Sequence, residues 1–333
     1  MIAPALVAHA DWSMHAAKRW MACAVVRPEG YLALPPAPVG ALESFWTRLG
    51  AAAPSGSILI GFDFPIGLPA AYAERVGIAD FPLALERFGN DFYEVARTPQ
   101  QIALARPFYP HSPGGRSRRQ LLVGLGFESW QHLHRRCDRS TPDRQAGCPM
   151  FWTLGANQVG RAAITGWRHL LAPARRGGVD VAIWPFDGTL ADLLGTRRFV
   201  VAETYPGEVY GHLGLELRAH GGKRRQAARI ANASRLLAWA SHAEIAVAPA
   251  LAADIAAGFG SDPGADDRFD AVVGLFGLLN VLRGARPSGE PDDAVVRRIE
   301  GWILGLTAAH AQGRVASAIE TQPDGDNARQ GML

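Results

Sequence analysis

The sequence contains no long apolar segment. Among its 333 residues, no apolar run approaches the roughly 20 that a helix needs to cross a bilayer. The N-terminus lacks the charged stretch and apolar core of a signal peptide. These absences argue against a membrane-spanning or secreted protein, and we expect a cytoplasmic location with no membrane partner.

Cysteine and lysine are both scarce. The three cysteines, Cys23, Cys137 and Cys148, cannot all pair with each other, which suits a reducing compartment. Lys18 and Lys223 are the two lysines, so arginine supplies almost all of the 34 basic residues. The formal net charge of +3 is mild and does not by itself imply a nucleic-acid partner. We interpret the arginine excess, together with the abundant Ala and Gly, as genomic base composition rather than phosphate binding.

Apolar residues, by contrast, are plentiful. They make up 48% of the chain against 20% charged residues, as in a globular protein with a sizeable core. Their spacing predicts strands at residues 5–11, 20–26 and 31–34, a helix at 39–52, a fourth strand that ends at Asp63, strands at 179–184 and 198–204, and helices at about 151–172, 222–240, 266–283 and 292–310. We therefore expect an α/β protein.

The middle of the chain has a looser pattern. From about residue 70 to 178 we expect a mainly helical insertion after the fourth strand, with a loop rich in Pro, Gly and Arg at 106–119. The insertion and the segments around it are expected to form a single domain over residues 1–313. Residues 314–333 are polar and are predicted to be a disordered tail.

Acidic residues stand at the ends of several predicted strands. Asp11, Asp63 and Glu203 each follow an apolar run, and we expect Asp11 and Asp63 to end neighbouring strands at one edge of the sheet. Asp267 and Asp270 lie one turn apart on one face of a helix. Carboxylates gathered in one place repel unless a hard cation such as Mg²⁺ joins them. This pattern favours metal-assisted phosphodiester hydrolysis.

Each acidic residue also has an ordinary structural explanation. An Asp at a strand end usually forms a turn, and an Asp in the first turn of a helix stabilises the helix dipole. Asp266 is the expected N-cap of its helix. Glu203 is harder to explain in this way, because Glu is unfavourable in a buried strand. The placements together weigh more than any one of them.

Four segments resemble a family of predicted RNase H-like nucleases, itself a domain of unknown function. They are Ala10-Asp11-Trp12-Ser13, Phe62-Asp63-Phe64-Pro65-Ile66-Gly67-Leu68-Pro69, Ala202-Glu203-Thr204-Tyr205-Pro206 and Asp267-Arg268-Phe269-Asp270-Ala271. The last segment is also similar to the Holliday-junction resolvases. The resemblance covers roughly residues 1–70 and 195–285, and His9 and Ala10 depart from its pattern.

The resemblance implies an RNase H-like mixed sheet flanked by helices. It also implies that Asp11, Glu203 and Asp270 bind Mg²⁺ or Mn²⁺, with Asp63 or Asp267 assisting, in a two-metal site that hydrolyses nucleic acid. One alternative is a non-catalytic module that binds nucleic acid or protein on the same fold. A less favoured alternative is an actin-like phosphotransferase, whose glycine-rich phosphate loop near the first Asp is missing here.

Basic residues indicate where a nucleic acid could bind. The stretch from Arg106 to Arg144 interleaves arginines with aromatic residues, so it could contact phosphates while its rings stack on bases. We expect contacts to substrate from four basic residues, Arg116, Arg118, Arg119 and Lys223. The alternative is a solvated insertion in an arginine-rich protein.

A zinc site in the same stretch is disfavoured. His132, His134, Cys137 and Cys148 lie close together in sequence, but their spacing matches no familiar zinc finger and the neighbouring arginines would add positive charge. We expect a polar surface helix there instead.

Overall fold

A mixed sheet runs through the centre of the protein. The computed structural model describes residues 2–140, 146–154 and 159–307. Within these residues the strands are β1 (Leu6–Asp11), β2 (Trp20–Arg27), β3 (Gly30–Ala33), β4 (Ala37–Pro38), β5 (Ile58–Phe62), β6 (Val181–Ile183), β7 (Phe199–Glu203) and β8 (Ala246–Val247). These eight strands of the described chain form one sheet, which confirms the predicted α/β class.

The strand order places β1 and β5 inside the sheet. The order is β6-β7-β5-β1-β2-β3-β8, and β4 pairs with β2. β2 is antiparallel to its two neighbours, β1 and β3, whereas β1, β5, β7 and β6 are parallel. Inner parallel strands are covered on both faces and therefore tend to be apolar throughout. Every residue of β1 and β5 is accordingly buried.

Helices cover both faces of this sheet. They are α1 (Phe45–Ala52), α2 (Ala70–Arg75), α3 (Phe81–Arg87), α4 (Asn90–Tyr93), α5 (Arg118–Gly124), α6 (Val159–Gly166), α7 (Ala172–Arg176), α8 (Leu190–Thr196), α9 (Pro206–His212), α10 (Gln226–Ala231), α11 (Ala233–His242), α12 (Pro249–Ala256) and α13 (Ala265–Leu282). Among the described residues, no helix has the length and apolar character needed to cross a bilayer.

Alternate residues of each inner strand face different hydrophobic cores. One core joins Ala10 and Phe62 to the helices of the 70–178 segment, including Phe81 and Trp167. The other core joins the intervening residues, such as Val7, to α13 and the helices around it. The side of the sheet on which a side chain lies therefore decides which set of helices it can reach.

Four predicted helices differ from the structure. Residues 151–154 of the helix predicted at 151–172 are not helical, because Trp152 pairs with Tyr109 in a β-bridge. The helix predicted at 39–52 begins only at Phe45, because the chain first pairs with β2 as β4 and Val39 then donates to the carbonyl of Arg19. The helix predicted at 222–240 is divided at Asn232 into α10 and α11. The helix predicted at 292–310 ends at Glu300, because Gly301 adopts a left-handed φ of 69° where it passes the carbonyl of Ile66. The predicted tail lies outside the described residues.

The start of α13 also differs from expectation. Its N-cap is Gly264 rather than Asp266, so the prediction of an Asp266 cap was wrong. Arg268 donates to Asp262 at 3.0 and 2.5 Å and to the carbonyl of Phe259, which closes the preceding turn and starts the helix two residues earlier. Asp266 and Asp267 consequently lie in the first turn.

His9 packs against α13 at a glycine. The imidazole is fully buried, its Nδ1 lies 3.2 Å from the carbonyl oxygen of Ala271, and burial lowers the pKa of His9 to about 3. A Cβ at Gly274 would overlap the His9 ring. The missing side chain therefore lets α13 lie close to β1, which sets how closely Asp270 approaches Asp11.

Replacing Gly274 with Ala should destabilise the protein because the new methyl group overpacks this contact. We expect Gly274→Ala to lower the free energy of unfolding by about 1–3 kcal/mol in urea denaturation. Gly211→Ala in α9 is the control, since nothing lies within 4 Å of its Cβ position. That variant should gain about 0.5–1 kcal/mol from helix propensity. Equal stabilities for the two variants would contradict the close approach of α13 to His9.

Candidate active site

Asp11 and Asp63 lie side by side at the carboxyl edge of the sheet. Asp11 ends β1, and the parallel register pairs Ala10 with Phe62, so Asp63 follows β5 at the same level. Oδ1 of Asp63 accepts a hydrogen bond of 2.6 Å from the backbone N–H of Trp12. The prediction that these residues end neighbouring strands is confirmed.

Asp270 joins this pair from α13, which packs across β1 and β2. Its side chain is almost completely buried. Oδ1 accepts a hydrogen bond of 2.5 Å from the hydroxyl of Tyr210, and Oδ2 forms an ion pair with the ammonium group of Lys223. Asp267, one turn earlier, is partly exposed beside them.

The cluster is short of positive charge. Burial raises the pKa of Asp11 well above its usual value, and the charges of Asp63 and Asp270 raise it further. Burial also raises the pKa of Asp63 to about 8, although the Trp12 hydrogen bond opposes this. The pKa values of Asp267 and Asp270 are raised, again mainly by burial. Asp11 and Asp63 therefore titrate as a pair that retains a proton near neutral pH.

Both lysines of the chain act on this cluster. For Asp270, the charge of Lys223 is the largest effect that opposes the rise in pKa caused by burial. Lys223 and Lys18 together oppose the corresponding rise at Asp267. The sequence predicts Lys223 on a helix at 222–240. In the structure it lies in the turn before α10. It contacts an acidic ligand candidate, so its predicted contact with substrate stays a prediction.

Glu203 is held in a different environment. Alternation along β7 places it on the face of Val201, which belongs to the core of the 70–178 segment, whereas Asp11 shares the face of His9 and α13. Its oxygens accept two hydrogen bonds of 2.6 Å from Arg135 and one of 2.7 Å from the backbone N–H of Ile66. The structure thus brings Asp11, Asp63, Asp267 and Asp270 together, but it engages Glu203 elsewhere.

Arg135 explains why Glu203 is buried at the end of a strand. The guanidinium is fully buried and also bonds Asp138 at 2.8 and 3.0 Å. It donates to the carbonyl oxygens of Ile66 and Glu300 at 3.2 and 3.3 Å as well. Because these partners come from the insertion, the sheet and the C-terminal segment, Arg135 ties the three together. This differs from the metal ligand role that the resemblance implies for Glu203.

The carboxylates of the cluster are suitable ligands for a hard cation, but the carboxylate of Asp270 is already paired with Lys223. Carboxylate oxygens are the ligands that Mg²⁺ prefers. Within the described part of the chain, however, no three His, Cys, Asp or Glu side chains are arranged to hold a metal ion. Asp270 would have to exchange Lys223 for the metal before the carboxylates could act as a ligand set.

The histidines and cysteines of the insertion serve its packing. The two ring nitrogens of His134 lie 2.8 and 2.9 Å from the carbonyl oxygens of Trp130 and Gly147. Cys137 is fully buried. The predicted polar surface helix was wrong: two 3₁₀ turns, Trp130–Leu133 and Arg136–Asp138, form instead, because Leu133, Arg135 and Cys137 face inward.

The basic loop lies next to the loop that follows Asp11. Arg118 and Arg119 open α5 and are exposed, and Arg118 lies 6.0 Å from the centre of the Trp152 ring. Arg116 is partly exposed beside Tyr109. Arg161 connects the two loops, because it contacts the sulfur of Met14 at 3.1 Å and donates to the carbonyl of His111.

Three residues that matter for this site were not predicted from the sequence. They are Tyr210, Lys18 and Arg135. No sequence pattern around Tyr210 or Arg135 indicates their role, because their carboxylate partners, Asp270 and Glu203, are distant in the sequence. Lys18 could have been found, because a lysine in a chain that otherwise uses arginine marks an exceptional position.

Comparisons with models of protein families, with curated proteins and with solved structures gave no match to this chain. The resemblance to RNase H-like nucleases therefore stays a prediction, and the site must be interpreted from its own geometry.

The shared proton predicts a distinctive pH dependence of stability. The pKa of Asp63 rises from 3.8 in the unfolded chain to about 8 in the fold, so the folded protein binds more protons in this window. Stability contributed by this group is complete below pH 3.8 and is lost as the pH approaches 8. Urea denaturation of the metal-free protein from pH 5 to pH 8 should therefore show a steeper loss for wild type than for Asp63→Asn. The amide oxygen of the substituted side chain would still accept the Trp12 hydrogen bond, and Asp292→Asn, at an exposed position, should retain the wild-type slope.

Removal of Arg135 should destabilise the fold severely. Arg135→Met leaves the buried Glu203 charge without a partner, which should cost about 3–5 kcal/mol of unfolding free energy. Adding Glu203→Gln should recover much of this loss, because the unpaired charge is then removed. Arg197→Met is the matched control at an exposed ion pair with Asp180, and should cost less than about 1 kcal/mol. Similar losses at the two arginines would contradict the role assigned to Arg135.

Proposed function

We propose that this protein is a divalent-metal-dependent phosphodiesterase that hydrolyses nucleic acid. The observation that carries the proposal is the convergence of the buried Asp11 and Asp270 and the half-buried Asp63, from three separate elements, in one cluster with raised pKa values. Burying three carboxylates together is unfavourable for folding unless a cation compensates them. Stability alone does not explain why the fold keeps them there.

The architecture supports an RNase H-like fold as part of this proposal. An antiparallel β1-β2-β3 unit continues into parallel β5 and β7, with helices on both faces. The short helices α2 to α7 follow β5, which agrees with an insertion after the fourth core strand. The candidate carboxylates lie at the carboxyl ends of β1 and β5 and near the start of α13.

In the proposed site Asp11, Asp63 and Asp270 hold the metal, and Asp267 assists from the rim. Bound Mg²⁺ or Mn²⁺ would supply an activated water and stabilise the leaving oxygen. The protein fixes the ligands beforehand: the Trp12 N–H orients Asp63, and the Tyr210 hydroxyl orients Asp270. Because the carboxylates bind protons tightly, metal binding should release protons and strengthen as the pH rises.

The basic residues are assigned to the substrate. Arg116 is partly exposed in the loop before α5, and Arg118 and Arg119 are exposed in its first turn. Arg161 joins this loop to the loop after Asp11. Guanidinium groups there could pair with phosphates that lead into the acidic site. The proposal thus gives Arg116, Arg118 and Arg119 the role of phosphate contacts outside the metal site.

One observation favours a second function, a non-catalytic binding module. The ammonium group of Lys223 already neutralises Asp270, so the fold is compensated in part without any metal. The actin-like phosphotransferase is not supported in this way. Such an enzyme would carry a glycine-rich phosphate loop near the first Asp. Here the segment after Asp11 is a short turn in which Arg19 donates to the carbonyls of Ser13 and Met14 at 2.6 and 3.0 Å.

Metal-dependent stabilisation and cleavage test the proposal together. Millimolar Mg²⁺ or Mn²⁺ should raise the melting temperature of the wild type, since a ligand at 100 times its Kd adds about 2.7 kcal/mol. The same ions should support cleavage in a screen of single-stranded, duplex, hybrid and branched nucleic acids. Asp11→Asn and Asp270→Asn should lose both responses, whereas Asp292→Asn should keep them. A wild-type protein that responds to neither ion would favour the binding module.

A further inference from the structure

We propose that Lys223 is a displaceable counter-ion of the metal-free site, which leaves Asp270 when a divalent cation binds there. The inference rests on the proposed function and adds a positioning residue to it. In the metal-free protein Lys223 would keep the carboxylates gathered, and in the loaded protein its ammonium group would be free to face the substrate.

The ion pair joins a buried carboxylate to a partly exposed partner. The side chain of Asp270 is 3% exposed, whereas that of Lys223 is 36% exposed. The Lys223 charge also reaches Asp11, Asp63 and Asp267. One cation at the edge of the solvent therefore acts on every carboxylate of the cluster and compensates it in part, which is the electrostatic task of a bound metal ion.

The backbone of Lys223 is held in place independently of its ion pair with Asp270. Arg229, which is almost completely buried, donates to the carbonyls of Lys223, Gly258 and Gly260. The turn is formed by Gly221 and Gly222, whose φ angles of 88° and 89° suit glycine. Release of Asp270 would thus need only rotation of the lysine side chain, with no change in the fold.

The choice of lysine supports exchange rather than a permanent bond. Lysine occurs twice among 34 basic residues, and both lysines act on this cluster. Elsewhere the chain pairs buried or half-buried carboxylates with arginine, as in Arg135 with Glu203 and Arg175 with Glu86. Arginine forms a rigid, bidentate fork, whereas the lysine ammonium is a compact point charge on a flexible stem. A point charge is the easier one for a metal ion to replace.

Chemical labelling can follow the displacement directly. The full chain would be treated briefly with an amine-acetylating reagent, with and without saturating Mg²⁺ at matched ionic strength, and acetylation of Lys223 measured by mass spectrometry. We expect several-fold greater modification with Mg²⁺, because the amine leaves its buried partner. Asp270→Asn is the control: Lys223 should react readily there in both conditions.

Metal affinity gives a second readout that does not depend on activity. Lys223→Gln should bind Mn²⁺ about tenfold more tightly than the wild type in a thermal titration, equivalent to ~1.4 kcal/mol, because the competing cation is gone. Lys223→Arg should bind it more weakly, because the guanidinium fork holds Asp270. Melting curves of both variants without metal would establish that each variant is folded.

The outcomes separate this inference from the proposed function. If Mn²⁺ stabilises the wild type but neither the labelling nor the affinity responds to Lys223, displacement is overturned and the metal site stands. If Lys223→Gln binds Mn²⁺ and the wild type does not, the lysine is a permanent replacement for the metal, which also overturns displacement. If neither protein binds metal, both proposals fall.

Discussion

The parallel pairing of β1 with β5 is the constraint on which the rest of the molecule depends. It places two aspartates next to each other at one edge, and it divides the side chains between two cores. Helices of the 70–178 segment cover one face, and α13 covers the other. A slip of β1 by one residue in this register would turn its side chains to the opposite faces and take Asp11 away from α13.

Buried acidic groups are compensated in two different ways in this fold. Glu203 receives two hydrogen bonds from a buried arginine that has further partners of its own. Asp270 receives a lysine from the surface and a tyrosine hydroxyl. The first arrangement is a closed network that holds segments together, because breaking any part leaves a buried charge. The second is open to solvent on one side, which is what a site for exchangeable ligands requires.

The sequence predicted much of the sheet but less of the site. Apolar runs that end at Asp11 and Asp63 were enough to locate β1 and β5 and to expect their carboxylates at one edge. A carboxylate at the end of a strand lies beside Asp11 and Asp63 only if its side chain is on the same face of the sheet. That face follows from the strand register and the twist of the sheet, and the spacing of residues along the sequence does not determine it. Glu203 therefore could not be separated from Asp11 in advance. The helix predicted beyond residue 300 failed because a backbone contact with Ile66 imposes a conformation that only the tertiary structure requires.

The crossing of the Ile66 and Gly301 segments has a consequence for how the chain is made. Arg135 bonds the carbonyl oxygens of Ile66 and Glu300, and the N–H of Leu304 bonds the carbonyl of Glu203. On the ribosome, the buried arginine and the end of β7 must wait for residues synthesised about a hundred or more positions later. Until those residues emerge, Arg135 lacks its bond to the carbonyl of Glu300 and β7 lacks its bond from Leu304, so the fold closes only when its last described segment arrives.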